Sequence, residues 1–160
     1  MHSSVFEVSR TPVPVSKQIR AGHLPDWFYE QICDYAENPS LVQRKNAIGQ
    51  FCRGLGNLCT QNGDKFTIYP GISMAYFCKR YDCFKTAAKT LAQTDYEVFA
   101  GSGTPAFHLA LDCLNSSYED KWGVYIYSTE SGELITLDRW LRIEDFSVPF
   151  YIGGMVNYHY

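Results

Sequence analysis

The chain has 160 residues, of which 46% are apolar and 19% are charged. This composition excludes a disordered chain and fits one globular domain, which we predict to span residues 1–160. The net charge of −3 excludes a strongly basic nucleic-acid-binding protein, because contacts with phosphates need clustered Lys and Arg.

Met1 is followed by HSSVFEVSR, which has neither the charged segment nor the apolar run of a signal peptide. Its longest charge-poor stretch, residues 146–160, contains Pro and Gly and is shorter than the ~18 residues that a membrane-spanning helix needs. We therefore expect a cytoplasmic protein that has no membrane partner.

The N-terminal part is predicted to hold one strand and one helix. Residues 2–9 alternate between two sets of side chains, which favours a strand. Three prolines make residues 11–25 a loop. A helix is predicted to begin at Asp26 and to end at Asn38 and Pro39, which cannot continue it. Its apolar stripe consists of Phe28, Tyr29, Ile32, Cys33 and Ala36.

A second helix is predicted after Ser40, because Ser40 and Gln43 have the spacing of a capping box. Gly54 and Gly56 end it by allowing left-handed backbone conformations. Its predicted buried side carries Leu41, Ile48, Phe51, Cys52 and Leu55.

A small hairpin and a long helix are predicted in the middle of the chain. The Asn-Gly pair at residues 62–63 is typical of a hairpin turn. Beyond residue 71, apolar residues recur at helical spacing over about five turns. The predicted core face is Met74, Phe77, Tyr81, Phe84, Ala88 and Leu91. The opposite side carries Lys79, Lys85 and Lys89. These lysines are either solvated or a surface for an acidic partner or a phosphate backbone, and Asp82 weakens the second interpretation by interrupting the row.

The C-terminal third has the period of strands. Residues 121–139 predict a hairpin with Gly132 at a positive φ, and a last strand is predicted with a bulge or bend at Gly153 and Gly154. The expected fold class is α+β, with an antiparallel sheet formed by the N-terminal strand and the C-terminal hairpin and strands. About four helices from the middle of the chain are expected to pack on one face of it.

The six cysteines are predicted to be free, mostly buried thiols, since a cytoplasmic chain of this size needs no disulfides. They are Cys33, Cys52, Cys59, Cys78, Cys83 and Cys113. Their spacing does not match a zinc site, because residues 78 and 83 would lie about 140° apart on a helix. We therefore predict no metal.

The segment YEVFAGSGTPAFHLALDCLN is the closest approach to a recognised motif. The candidate ligand-binding residues are Gly101, Ser102, Gly103 and Thr104. A Walker loop would need a lysine that this segment lacks. Ala106 stands where the dinucleotide-binding fingerprint has its third glycine, and the fingerprint accepts Ala there, so the segment is a lone near-match. The alternative is that Thr104 caps a helix whose first residue is Pro105. A helix N-terminus of this kind still offers free N–H groups to an anion.

A polar seam follows the loop. His108, Asp112 and Asn115 are spaced at i, i+4 and i+7, so they share one side of the predicted helix. His108 and Asp112 are candidate catalytic residues, because a carboxylate can orient an imidazole and raise its basicity. The alternative is that the seam is the solvent-exposed edge of the helix. His2 and His159 would approach each other if the first and last strands pair, and we predict no role for them.

The sequence contains no G-x-S-x-G, H-E-x-x-H or zinc deaminase signature, and no cofactor is predicted. Aromatic residues make up 16% of the chain, and Tyr and Trp are favoured at protein interfaces. We therefore expect a small non-enzymatic binding or inhibitor domain whose partner is another protein. Phage and mobile-element anti-defence or immunity proteins have this general character. The alternative is a small enzyme or ligand-binding protein that uses Gly101–Thr104 with His108 and Asp112.

Overall fold

The computed structural model describes residues 1–160, with six α-helices and seven β-strands. The first seven elements are β1 (His2–Ser9), α1 (Asp26–Gln31), β2 (Tyr35–Glu37), α2 (Leu41–Gly54), β3 (Cys59–Asn62), β4 (Lys65–Ile68) and α3 (Ile72–Ala92). The remaining six are α4 (Tyr96–Ala100), α5 (Pro105–Tyr118), β5 (Tyr125–Ser128), β6 (Leu134–Thr136), α6 (Leu137–Ile143) and β7 (Phe150–His159).

All seven strands form one sheet in the order β3-β4-β7-β1-β5-β6, and β2 pairs with the end of β7. Strand β1 is antiparallel to β7 and parallel to β5, and the other pairs are antiparallel. The α+β class and the pairing of the first strand with the last are therefore confirmed. His2 lies opposite His159, with ring centroids 3.9 Å apart.

Strand β7 carries a bulge where it passes Glu7. Phe6 pairs with Met155 whereas Val8 pairs with Ile152, so β7 has one residue more than β1 between these pairs. The extra residue falls at Gly153 and Gly154, where the sequence predicts a bulge or bend. An added residue of this kind bends the strand and lets another segment approach it closely.

The two faces of the sheet are covered by different helices. Val5 and Phe6 are adjacent in β1 and therefore point to opposite faces. Val5 is part of a buried cluster with Phe28 of α1, whereas the ring of Phe6 lies 4.8 Å from that of Phe51 in α2. Helices α1 and α2 thus lie on opposite faces, which corrects the expectation that the helices share one.

The first helix is shorter than predicted. It ends at Gln31, and the residues that continue its apolar period, Tyr35–Glu37, form β2. The backbone N–H of Asp34 already donates to the carbonyl of His159 in β7. Residues 35–37 satisfy their backbone groups by pairing with the free edge of β7, so the sheet overrides the helical pattern here.

The capping box at the start of α2 is confirmed, because the Ser40 hydroxyl accepts from Gln43 N–H and the Gln43 side chain accepts from Ser40 N–H. Ile48, Phe51, Cys52 and Leu55 are buried as predicted. Leu41 is not, since it is 86% exposed. It occupies the first turn, before the helix reaches the sheet.

Both predicted hairpins form. Strands β3 and β4 are joined at Gly63 and strands β5 and β6 at Gly132, with φ of 63° and 69°. The second hairpin ends earlier than predicted, because Leu137–Ile143 is helix α6. The Thr136 hydroxyl accepts from Arg139 N–H and starts that helix inside the segment read as a strand.

The chain divides into two compact units, residues 1–72 with 121–160 and residues 73–120. The first contains the sheet, and the second contains most of α3 with α4 and α5. The single domain expected from chain length stays a prediction. None of the helices is both long and apolar enough to cross a membrane.

The long helix α3 is rotated relative to its predicted core face. Met74 is 81% exposed and Tyr81 is 59% exposed, whereas Ala87 is buried. Phe77, Phe84, Ala88 and Leu91 are partly buried. The spacing of the large apolar side chains predicted one buried stripe, but two of them, Met74 and Tyr81, lie in solvent.

Candidate functional site

The glycine loop of residues 101–104 joins two helices. Residues Tyr96–Ala100 form the short helix α4, so no strand precedes the loop. The strand that phosphate-binding loops require is therefore replaced by a helical turn. Thr104 Oγ1 accepts from Phe107 N–H at 3.2 Å, and Pro105 is the first residue of α5. Thr104 is thus the N-cap of α5, which is the structural alternative that the sequence offers.

The ring of His108 closes this loop. His108 Nε2 lies 2.7 Å from the carbonyl oxygen of Ser102, and a carbonyl only accepts, so Nε2 carries the proton. Gly103 has a φ of 74°, and a Cβ there would lie 2.7 Å from His108 Nε2. The loop is therefore closed by a side chain of the helix that it precedes.

The candidate catalytic pair is not joined by a bond. His108 is bonded to Ser102, and no hydrogen bond or ion pair connects it with Asp112. His108, Asp112 and Asn115 are all exposed. In the first turn of α5, the N–H groups of Phe107 and His108 are bonded to Thr104 and Pro105 has none. Only the Ala106 N–H is left for an anion at this helix end.

The same helical unit carries an apolar groove between α3 and α5. Its volume is about 450 Å³. It is lined by Asp82, Cys83, Thr86, Ala87, Thr90, Ala106, Leu109, Ala110 and Cys113. Ala87 and Ala110 are buried, whereas Leu109 is 64% exposed. The groove thus combines small residues with one large apolar side chain that has no cover.

The lining residues follow the spacing of helix–helix contacts. Cys83, Ala87 and Thr90 on α3 and Ala106, Leu109 and Cys113 on α5 recur every three to four residues. This is the pattern by which one helix packs against another, and small side chains allow a close approach. Lys79 continues the α3 row by one turn beyond Cys83, and Asp82 is the one charged residue of the lining. The groove therefore has the geometry of a helix-binding site with a basic residue beyond one end.

A second apolar surface lies at α4. Tyr96 and Phe99 are 80% and 70% exposed. With Leu91, Phe107 and Leu111 they border a cavity of about 420 Å³. Neither Tyr96 nor Phe99 is among the candidate residues predicted from the sequence. The signal in the sequence was their spacing of three residues, which places both rings on one side of a helix.

All six cysteines are free thiols. The prediction that most are buried is wrong, because only Cys33 and Cys52 are buried and Cys78 and Cys83 are exposed. The Cys52 and Cys59 side chains form a hydrogen bond, which lowers the pKa of the Cys52 thiol and, together with burial, raises that of Cys59. No three His, Cys, Asp or Glu side chains are grouped so as to hold a metal ion.

Comparison with known proteins finds no family model that matches the chain. No curated protein and no solved structure matches it significantly.

Proposed function

We propose that the chain is a small cytoplasmic, non-enzymatic binding domain of the inhibitor or immunity type, which contacts another protein through the groove between α3 and α5. The observation that carries this proposal is the exposure of an apolar groove on a unit in which only Ala87 and Ala110 are buried. Grooves of this kind bind the apolar side of an amphipathic helix. The exposed thiols of Cys78 and Cys83 suit a reducing compartment.

The proposed occupant is an amphipathic helix with acidic residues beside its apolar seam. From Cys83 to Thr90 the groove extends over about 10 Å, or two helical turns. Helix α3 has four basic residues and one acidic residue, although the whole chain has a net charge of −3. Lys79, one turn beyond Cys83, would attract carboxylates at that end of the bound helix, because opposite charges at the edge of an interface steer association.

The alternative enzymatic function has less support. It needs the imidazole of His108 to be oriented by Asp112 and open to a substrate. The His108 Nε2 proton is instead donated to Ser102. We therefore propose the groove, and not the Gly101–Thr104 loop, as the functional surface.

Two designed helical peptides of about 20 residues test the proposal, since shorter helices are marginal in water. They share one Leu/Ala seam and differ only in flanking glutamates or flanking lysines. In fluorescence anisotropy, we expect the glutamate peptide to bind at least about tenfold more tightly and to weaken with salt. Equal affinity for both peptides, or binding of neither, would contradict the proposal.

The matched variants are Leu109→Asp and Met74→Asp. Both replace an exposed apolar residue of the same unit, but only Leu109 lines the groove. Leu109→Asp is expected to weaken binding of the glutamate peptide at least about tenfold, because it places a charge where apolar contact is needed. Met74→Asp is expected to leave the affinity unchanged. Circular dichroism of both variants establishes that the helices remain.

A further inference from the structure

A polar cleft lies in the unit that contains the sheet. It is formed by the segment that leads into α1, the β5–β6 hairpin and the first turn of α6, and its volume is about 470 Å³. This falls within the range of about 300–1,000 Å³ that is usual for small-ligand sites. Its polar and aromatic lining residues are His23, Trp27, Tyr127, Glu133 and Arg139.

Two opposite charges line this cleft without meeting. The guanidinium of Arg139 and the carboxylate of Glu133 form no ion pair and no hydrogen bond, either with each other or with the rest of the chain. Both residues are exposed, so the two charged groups face solvent and are available to a ligand.

The local structure explains the separation. Glu133 follows Gly132, whose φ of 69° sets the hairpin turn. Arg139 is in the first turn of α6, where its backbone N–H is donated to the Thr136 hydroxyl at 3.2 Å. The carboxylate is thus placed by a turn and the guanidinium by a capped helix. The two groups reach the same cleft from different elements.

The other polar groups of the cleft also have unused donors. His23 Nδ1 accepts from Arg20 N–H at 3.3 Å, so the neutral ring carries its proton on Nε2, which has no partner in the chain. The Trp27 indole N–H and the Tyr127 hydroxyl also have no hydrogen-bond partner in the chain. The Trp27 ring is held edge-on by Phe28, with centroids 5.7 Å apart. The cleft therefore offers fixed aromatic surface together with unpaired polar groups.

We propose that this cleft binds a small zwitterion, an α-amino acid whose carboxylate pairs with Arg139 and whose ammonium group pairs with Glu133. A guanidinium binds a carboxylate through two parallel hydrogen bonds, and a carboxylate is a strong acceptor for an ammonium group. Trp27 and Tyr127 favour an apolar or aromatic side chain on the ligand. This binding is independent of the function proposed for the groove, which lies in the other compact unit.

Isothermal titration calorimetry with three probes tests the proposal. The probes are L-phenylalanine, N-acetyl-L-phenylalanine, which lacks the ammonium group, and L-phenylalanine methyl ester, which lacks the carboxylate. L-Phenylalanine is expected to bind, and each derivative is expected to bind at least about tenfold more weakly, because it lacks one of the two charged groups that pair with Arg139 and Glu133. Equal affinity for the three probes, or no binding up to about 10 mM, would overturn the proposal.

Two variants assign the charges. Arg139→Gln is expected to remove the preference for L-phenylalanine over the methyl ester, and Glu133→Gln the preference over the N-acetyl derivative. Arg53→Gln and Glu30→Gln are the controls, since both residues are exposed and outside the cleft. A preference that survives in both cleft variants would refute the assignment. Thermal melting without ligand checks that each variant is folded.

Discussion

The carboxylate of Glu7 occupies the space in which a side chain on Gly153 would lie. Glu7 is 2% exposed, and its Oε2 accepts from the N–H groups of Ile19, at 3.1 Å, and of Gly154. This one oxygen holds the proline-containing segment of residues 11–25 against the bulge of β7. The two glycines therefore serve the approach of another segment, and not only the bend of their own strand.

Gly154→Ala tests this close approach. A Cβ at residue 154 would lie 2.7 Å from the backbone nitrogen of Ile19, and backbone yields less easily than a flexible side chain. We expect a loss of about 1–3 kcal/mol in the free energy of unfolding, measured with urea. The control is Gly22→Ala, whose Cβ meets no atom within 4 Å and which should change stability by under ~0.5 kcal/mol. Equal effects would show that the segment does not pack against the bulge.

The buried carboxylate itself gives a second prediction. Glu7→Ala leaves the N–H groups of Ile19 and Gly154 without their acceptor, and each unpaired buried donor costs about 1–3 kcal/mol. Glu7→Gln keeps one side-chain oxygen in place, so it is expected to destabilise much less. Urea unfolding of both variants measures the difference. A larger loss in Glu7→Gln than in Glu7→Ala would contradict the role of Oε2 as acceptor.

Phe28 and Tyr81 differ in burial, so their alanine variants are expected to differ in stability. The Phe28 side chain is fully buried, and its ring lies 5.1 Å from that of Tyr158. Phe28→Ala is therefore expected to cost about 3–5 kcal/mol. Tyr81 is 59% exposed, and Tyr81→Ala should cost under ~0.5 kcal/mol. Thermal denaturation of both variants separates the observed orientation of α3 from the predicted one, in which Tyr81 faces the core.

Glu130 gives the pH prediction. Burial alone would raise the pKa of its carboxyl, but hydrogen bonds from Arg10 N–H and from the Ser9 and Thr129 hydroxyls lower it below the ordinary 4.5. The folded chain thus holds the ionised form more readily than the unfolded chain does. The stabilisation of the folded chain that results is present above pH 4.5, and it is lost as the pH falls through the folded-state pKa of Glu130.

Glu130→Gln is therefore expected to weaken the acid dependence of stability below about pH 4.5. At neutral pH it should cost under ~1 kcal/mol, because the group is exposed and screened. Urea unfolding between about pH 3 and 7 measures both effects. Glu30→Gln, which removes an exposed carboxyl that accepts no hydrogen bond, is the control. An unchanged acid slope in Glu130→Gln would count against the bond from Arg10.

The loop of residues 101–104 gives a further prediction. Thr104→Ala is expected to cost about 0.5–2 kcal/mol, whereas Thr104→Ser keeps the cap and should be nearly silent. His108→Ala removes the bond to Ser102 and should cost about 0.5–1.5 kcal/mol. Thermal melting measures all three, and ATP at millimolar concentration should shift none of them. A melting temperature that rises with ATP would indicate an anion site in the loop.

Local patterns of the sequence predict the elements that depend on neighbouring residues. The Ser40 capping box, the Thr104 cap and the positive φ of Gly132 were readable because each needs only three or four residues. The contact of His2 with His159 was predictable once the first and last strands were paired. The strand at Tyr35–Glu37 was not, because its helical period is overridden by the edge of β7, a partner over 100 residues away.

The candidate sites are harder to predict for the same reason. The bond between His108 and Ser102 requires the loop to fold back on its own helix, and no spacing rule gives this. The groove requires the crossing of α3 and α5, and the polar cleft requires three separate segments to meet. Their residues are individually ordinary, so only the tertiary structure distinguishes them from a solvated surface.

The position of β1 also determines when the sheet can form. It lies between β5 and β7, which both belong to residues 121–160. At about 5–20 residues per second, a ribosome makes Val5, Phe6 and Val8 roughly 10–30 s before it makes β7. The sheet is therefore completed only after synthesis has passed its last strand, and until then the apolar side chains of β1 lack the cover that they have in the folded chain. Ribosome-bound chains that lack β7 should be cleaved rapidly by protease, and protection should arise only when that strand has left the ribosome.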